Sequence, residues 1–421
     1  MWIAELETMT MRHFKHFFLL ALIIVNFHNS FSQNERRYKS KEEDVYYDSI
    51  NRIREYKNFT PVSKEVIKNH KFDYVKITNV DHPSIYNPLQ VFPRYWDSVM
   101  IANKVEMKDF IKFDSILQVP SNEKVGIIPK MSIIKEEKHN KNWAIIYTDS
   151  KYDDFIYGGS GYWIALSRDN GKNWNQYYTN LTENYNYFFK RNSSIPLWKD
   201  STTIQIEAVI KRNRSEFIHP MPVFKTIQDS IAVQLDLSKI IIDSDKDGLT
   251  DIVEDRMLLN PKNPDTDGDG ISDNEDKNPR FKSVQTELAT IYEVLIENFH
   301  PNNNKGEMII DLSKPPVYKV NKDILYEDFE TVNLLIADDK DLQGISLYNT
   351  TMIILSNAEY DIYKKQYPAH FIKNNFSPMF KCDKIKDTYK INTSHLTGGA
   401  TFVIQKIKTG WKMFMLSIWI S

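Results

Sequence analysis

The 34 residues from Asp243 to Asp276 hold twelve acidic side chains and three basic ones, a local balance of −9. The remaining chain carries 44 acids against 51 bases, or +7, so the acidity is concentrated in one short island. Like charges packed this densely oppose a compact chain unless something cancels them. The acids are also spaced, not scattered. Asp243, Asp245, Asp247, Asp251 and Glu254 occupy positions 1, 3, 5, 9 and 12 of a twelve-residue window, with Gly248 at position 6. Starting 22 residues later, Asp265, Asp267, Asp269, Asp273 and Asp276 repeat the order around Gly270.

This is the ligand order of an EF-hand-type loop, which supplies hard oxygen donors to a divalent cation at about 2.3–2.6 Å. Short Asp side chains turn inward from alternating positions, and glycine at position 6 permits the sharp turn. At position 7, Leu249 and Ile271 offer their carbonyls, with side chains expected to pack inward as a small core of the segment's own. Glu254 is long enough to close its loop with both oxygens. Asp276 is one methylene shorter, and Glu275 is a weaker substitute beside it. A solvated acidic linker would need neither the glycine, nor the aliphatic residue after it, nor the same spacing twice. The spacing therefore predicts Ca2+ binding through Asp243, Asp245, Asp247, Leu249, Asp251, Glu254, Asp265, Asp267, Asp269, Ile271, Asp273 and Asp276.

The second loop, followed by Lys277, Asn278 and Pro279, resembles a thrombospondin type 3 repeat. The first loop, followed by Leu258, Leu259, Asn260 and Pro261, resembles the bacterial form of that repeat, in which a short helix separates the loops. Lys277 and Asn278 stand where the animal repeat places a cysteine, so no disulfide tethers that end. The resemblance covers Asp243–Pro279 and implies a calcium-rigidified spacer between domains.

At the amino terminus, basic residues from Met11 to His16 precede the apolar run Phe17–Phe27, and Ser30 and Ser32 flank Phe31 ahead of Gln33. Basic region, apolar core and small-x-small site predict a signal peptide over 1–32, with Met11 as the true start. The run is too short to cross a bilayer, so no membrane span is expected in the mature chain. Export would place the loops in a medium with calcium at about millimolar levels, where low-affinity sites operate. A net charge of −2 argues against a nucleic-acid binder. The one cysteine, Cys382, excludes an intramolecular disulfide framework and any multi-cysteine metal site.

The rest divides by pattern. Residues 33–44 read as a polar leader. Residues 45–240 read as a β-rich domain, with strand-like runs at Trp143–Tyr147, Tyr162–Leu166, Thr203–Ile210 and Ile231–Leu237, and short helices at Ile50–Tyr56 and Lys64–His70. Residues 241–280 hold the tandem loops. Residues 281–421 read as an α+β domain. Helical spacing of Val284, Leu288, Ile291, Leu295 and Phe299 predicts an amphipathic helix over Ser283–Phe299 there, with strands and one further helix near Ala358–Tyr367 after it. The expected fold class is thus multi-domain, a β-rich and an α+β domain flanking a calcium-loop connector.

Ser167, Asp169, Gly171 and Trp174 fit Ser-x-Asp-x-Gly-x-x-Trp and resemble the Asp-box of sialidases and related β-propellers. One copy implies a hairpin more than a glycosidase, because the motif is structural in that family. The chain lacks His-Glu-x-x-His, Gly-x-Ser-x-Gly and the phosphate-binding loop, so no catalytic residue is assigned. The expected protein is a secreted calcium binder of the binding or adhesion type, with an extracellular glycan or protein as its further ligand. The alternative is a secreted glycan-acting hydrolase built on the Asp-box region.

Overall fold

The computed structural model describes residues 38–47, 72–85, 128, 132–149, 151–152, 161–182, 187–213, 224–284, 286–297, 307–310, 332–348, 350–366, 372–395, 398–408 and 410–420. The signal peptide expected over 1–32 and the helices expected at Ile50–Tyr56 and Lys64–His70 lie outside these residues. Among the described residues, β-structure predominates, arranged in three sheets. No described helix is long and apolar enough to cross a membrane.

Two sheets come from the chain before Leu237. One is an antiparallel meander of β2 (Ile133–His139), β3 (Asn142–Asp149), β4 (Gly161–Ser167) and β5 (Asn175–Thr182). Its two central strands are the runs around Ile145 and Ile164, and β4 is buried along its whole length. A strand covered on both faces reads as a continuous apolar run, not an alternating one. The other sheet has the order β1-β8-β7-β6, from β1 (Val75–Asn79), β6 (Tyr187–Phe189), β7 (Thr203–Asn213) and β8 (Phe224–Asp236). On β7, Ile204, Ile206 and Ala208 enter the core while Glu207 faces the other way. Glu207 is fully buried yet satisfied: the amides and hydroxyls of Ser84 and Ser194 donate to it at 2.7–3.1 Å. The Lys190 ammonium lies 3.9 Å away. Desolvation pushes the Glu207 carboxyl up, but these donors outweigh it and hold the group below the ordinary carboxylate range.

The third sheet is mixed. Its order is β11-β10-β12-β14-β15-β16-β9, and a short β13 (Phe380–Lys381) pairs with β14. The strands are β9 (Glu307–Ile310), β10 (Val332–Ile336), β11 (Thr351–Leu355), β12 (Ile372–Phe376), β14 (Thr388–His395), β15 (Gly398–Ile407) and β16 (Gly410–Ile420). β10 runs parallel to both β11 and β12, a pairing the sequence reading did not anticipate. Parallel neighbours need a crossover between them. The helical segments Lys340–Gln343 and Asn357–Gln366 sit in those crossovers.

Alternation along β10 and β11 sorts their side chains between two cores. Leu334, Ile353 and Leu355 join a cluster with Ile145, Ile164 and Ile206 of the first two sheets. Leu335, Met352 and Ile354 face the opposite way, onto Ile291 and Leu295 of the helix Glu287–Glu297. The acidic island enters the first of these cores. After the turn Leu237–Ile240 (α1), the helix Asp251–Met257 (α2) buries Ile252, Val253 and Met257 there, alongside Leu249 and Leu259. Each such side chain contributes about 1.5–3 kcal/mol of burial. The small separate core expected around Leu249 and Ile271 is therefore replaced by a shared one.

Backbone hydrogen bonds cross the same junction. Val332 N–H donates to Lys151 C=O at 2.9 Å, and Met352 N–H to Lys277 C=O at 2.8 Å. Residues 38–44, read from sequence as part of a polar leader, also have a fixed place. Glu43 pairs with Lys390, and Tyr46 just beyond lies 5.5 Å from the Phe380 ring.

The chain leaving the second loop is pinned where Val284 N–H donates to Gly344 C=O at 2.7 Å. A Cβ on Gly344 would stand 2.6 Å from Val284 Cγ2 and 3.2 Å from the Lys282 carbonyl. Gly344→Ala should lower stability by about 1–3 kcal/mol, the usual cost of overpacking. Val284→Ala in that background should recover part of the loss. Chemical denaturation checks this, and an unchanged midpoint for Gly344→Ala would contradict the packing.

Candidate metal centre

The two loops are built by the same hydrogen bonds, displaced by 22 residues. Asp243 accepts from the amides of Lys246 (2.7 Å) and Gly248 (3.2 Å), as Asp265 does from Gly268 (2.7 Å) and Gly270 (2.8 Å). Asp247 accepts from Leu249 N–H and Asp269 from Ile271 N–H, at 2.7 and 2.8 Å. Each bond occupies a carboxylate oxygen and folds the backbone around the remaining ones. Gly248 and Gly270 have φ of +106° and +100°, values that L side chains rarely adopt, which is why glycine recurs at position 6.

Carboxylate oxygens of Asp243, Asp245 and Asp247 all lie within 4.8 Å of one another, and so do those of Asp265, Asp267 and Asp269. Oxygens on opposite sides of a calcium ion stand about 4.6–5.2 Å apart, so each triplet can share one ion. The position-9 residues do something else as well. Both oxygens of Asp251 are engaged by Ser244, from its amide at 2.8 Å and its hydroxyl at 2.7 Å. Asp273 is held by Thr266 in the same manner at 2.9 and 2.7 Å. Asp251 and Asp273 thus staple their loops, whatever further donation they make.

The position-12 acids are drawn inward. Glu254 sits in the first turn of α2, whose buried face carries it to 0% exposure, and neither of its oxygens has a hydrogen-bond partner. Asp276 is 8% exposed and accepts from Asn278 N–H, whereas Glu275 is exposed. One oxygen each of Asp245 and Asp267 is likewise buried without a partner. Leaving a buried carboxylate oxygen unpaired is costly, and a hard cation is the partner that an all-oxygen set fits best. An ion in each triplet would meet the buried oxygens of Asp245 and Asp267, whereas Glu254 and Asp276, expected as closing ligands, are not among the oxygens grouped within 4.8 Å.

The charge balance agrees. Desolvation, then the neighbouring Asp245, Asp247, Asp251 and Asp273, push the Glu254 carboxyl up to about 8. Desolvation and acidic neighbours raise Asp267 to about 6, against the pull of the Asp269 amide. Asp247, Asp273 and Asp276 are also raised, by burial first and adjacent carboxylates after it. Asp265 moves the other way: partial desolvation acts to raise it, but the amides of Gly270, Gly268 and Asp269 prevail.

The loops are not independent. Asn274 N–H of the second donates to Asp247 of the first at 3.2 Å, and Asp273 adds its charge to the field on Glu254. Lys282, beyond both, donates to Gly268 C=O at 2.6 Å. Sequence reasoning missed Asn274 and Lys282, because no local pattern marks a contact between loops. The position-7 residues also part company, with Leu249 8% exposed in the shared core and Ile271 45% exposed in solvent.

The turn between β4 and β5 offers a contrast. Ser167 Oγ accepts from Gly171 N–H at 2.8 Å, and Asp169 accepts from the amides of Lys172 and Asn173 at 3.0 and 2.8 Å. Trp174 Nε1 donates to Gly171 C=O at 3.1 Å. The Asn173 amide leads the donors that hold Asp169 at about 2. Its carboxylate is spent on the turn.

Without metal, the folded state keeps protons on Glu254 and Asp267 that the unfolded chain releases at ordinary carboxylate values. Between about 4.5 and about 8 the folded protein therefore binds more protons than the unfolded one, and stability falls as pH rises. Asp169 titrates below this window, near 2, and does not mask the trend. The thermal midpoint of chelated protein should fall from about pH 5 to about pH 8, and saturating calcium should abolish the fall. A chelated midpoint that climbs across the window would contradict the charge assignment.

No protein-family model matches the chain, and no curated protein or solved structure matches it either.

Proposed function

We propose that this chain is an exported calcium-binding protein of the binding or adhesion type. Its tandem loops over 243–276 act in the manner of the thrombospondin type 3 repeat they resemble, between a β-rich region (45–240) and an α+β region (281–421). The observation that carries the reading is the set of buried, unpartnered carboxylate oxygens on Glu254, Asp245 and Asp267, at the ligand positions of two equivalent loops. Export is proposed on the basic and apolar segments before Gln33. Further ligands would be an extracellular glycan or protein met by the flanking regions.

Packing of α2 into the shared core bears on how calcium would act. In a free spacer, the ions would set only the angle between two self-sufficient domains. Here Leu249, Ile252, Val253 and Met257 lie among the side chains of both flanking regions. Ion binding would then stabilise the junction itself, because an ion that binds only the folded state adds RT ln(1 + [L]/Kd) to its stability. At ten times Kd that is about 1.4 kcal/mol per site.

Isothermal titration of the full chain should show two or more calcium ions bound, with Kd around 10⁻⁴–10⁻³ M, as for other extracellular modules. Asp245→Ala with Asp267→Ala should abolish the heat. Binding left intact by the double variant, or no binding by the parent, would overturn the proposal.

A further inference from the structure

A cavity of about 340 Å³ opens where the first turn of the helix Glu287–Glu297 meets β14, β15 and β16. It shares no residue with the calcium loops. Trp411 and Tyr389 form its aromatic floor, their rings 5.8 Å apart and inclined at 58°. Glu287, Asp341, Asp387 and Lys406 stand around it. The rim is already organised: Lys406 Nζ bridges both oxygens of Glu287 at 2.7 and 3.0 Å, and Thr286 Oγ1 donates to Asp341 at 2.6 Å. Trp411 is 3% exposed, and its Nε1 has no hydrogen-bond partner.

Chemistry narrows the occupant. Three carboxylates against one ammonium repel an anion. An organic cation would want an aromatic face, but Lys406 stands 5.3 Å from the Trp411 ring centre and neutralises Glu287. What remains suits a neutral ring bearing several hydroxyls. Carboxylates accept from hydroxyls, Lys406 has a third N–H to donate beyond its two contacts with Glu287, and the half-buried Tyr389 ring can cover the ring's C–H face. At the small end of ligand-pocket volumes, roughly 300–1,000 Å³, the cavity has room for one or two sugar rings. We propose that this cavity binds a pyranose unit of a neutral carbohydrate.

Saturation-transfer NMR on the full chain tests this with methyl glucoside, galactoside, mannoside and N-acetylglucosaminide, and with tetramethylammonium chloride as the cationic control. Two variants accompany it. Asp387→Asn keeps the left-handed turn at φ +50°, which asparagine tolerates, and removes a rim charge. Trp411→Phe keeps most of the core volume and removes the indole. At least one pyranoside should receive saturation and shift tryptophan emission. Asp387→Asn should weaken it about fivefold or more, the scale of one lost hydrogen bond to a charged group. Trp411→Phe should abolish the emission response, and if that variant does not fold, Asp387→Asn alone decides. No transfer to any pyranoside at about 10 mM, the weak limit of specific binding, overturns the proposal. Unchanged binding in Asp387→Asn, or preference for tetramethylammonium over every pyranoside, does the same.

Discussion

The junction between the sheets is lined by carboxylates that the protein does not neutralise. Glu254 is fully buried with both oxygens unpaired, Asp245 and Asp267 each bury an unpaired oxygen, and Asp273 adds a further charge nearby. Their burial follows from packing. The apolar side of α2 must reach Ile252, Val253 and Met257 into the shared core, and Glu254 is carried in on the same short helix. Hydrophobic burial and electrostatic cost are thus coupled in one element, and only a proton or a cation relieves the second without giving up the first.

Three acids in this chain show why burial alone is not the signal. Glu207 is as buried as Glu254, yet Ser84, Ser194 and Lys190 satisfy it, and its role is to tie the loops that carry them to β7. Asp169 is surrounded by donors, and its charge organises a turn. Glu254 combines deep burial with a complete lack of donors. The loops around it are already folded by their own amide-to-carboxylate bonds. A metal would therefore meet a preorganised site, and its main contribution would be to cancel charge.

Much of this was legible in the sequence where the cause is local. Continuous runs around Ile145 and Ile164 became strands covered on both faces, and the helical spacing from Val284 to Phe299 became the helix Glu287–Glu297. The ligand spacing also located both acidic triplets. Features set by distant residues were not legible. The parallel pairing of β10 with β11 and β12 depends on which face each strand must cover. Leu249 and Ile271 occupy equivalent loop positions, but only Leu249 has a core to enter, because only the first loop runs into α2. Asn274 meets Asp247 through the folding of one loop onto the other, across 27 residues.

Uncancelled charge at this junction is what a calcium ion would relieve. Glu254→Gln tests it most directly, since it keeps the shape and removes the most strongly perturbed carboxyl, the one pushed up to about 8. Thermal unfolding of parent and variant, chelated and calcium-saturated, should be compared at about pH 8.5, where the parent group is ionised. The chelated variant should melt higher than the chelated parent, and calcium should raise its midpoint by less. A chelated variant that melts lower, with the full calcium increment retained, would show that the Glu254 charge is not what calcium relieves.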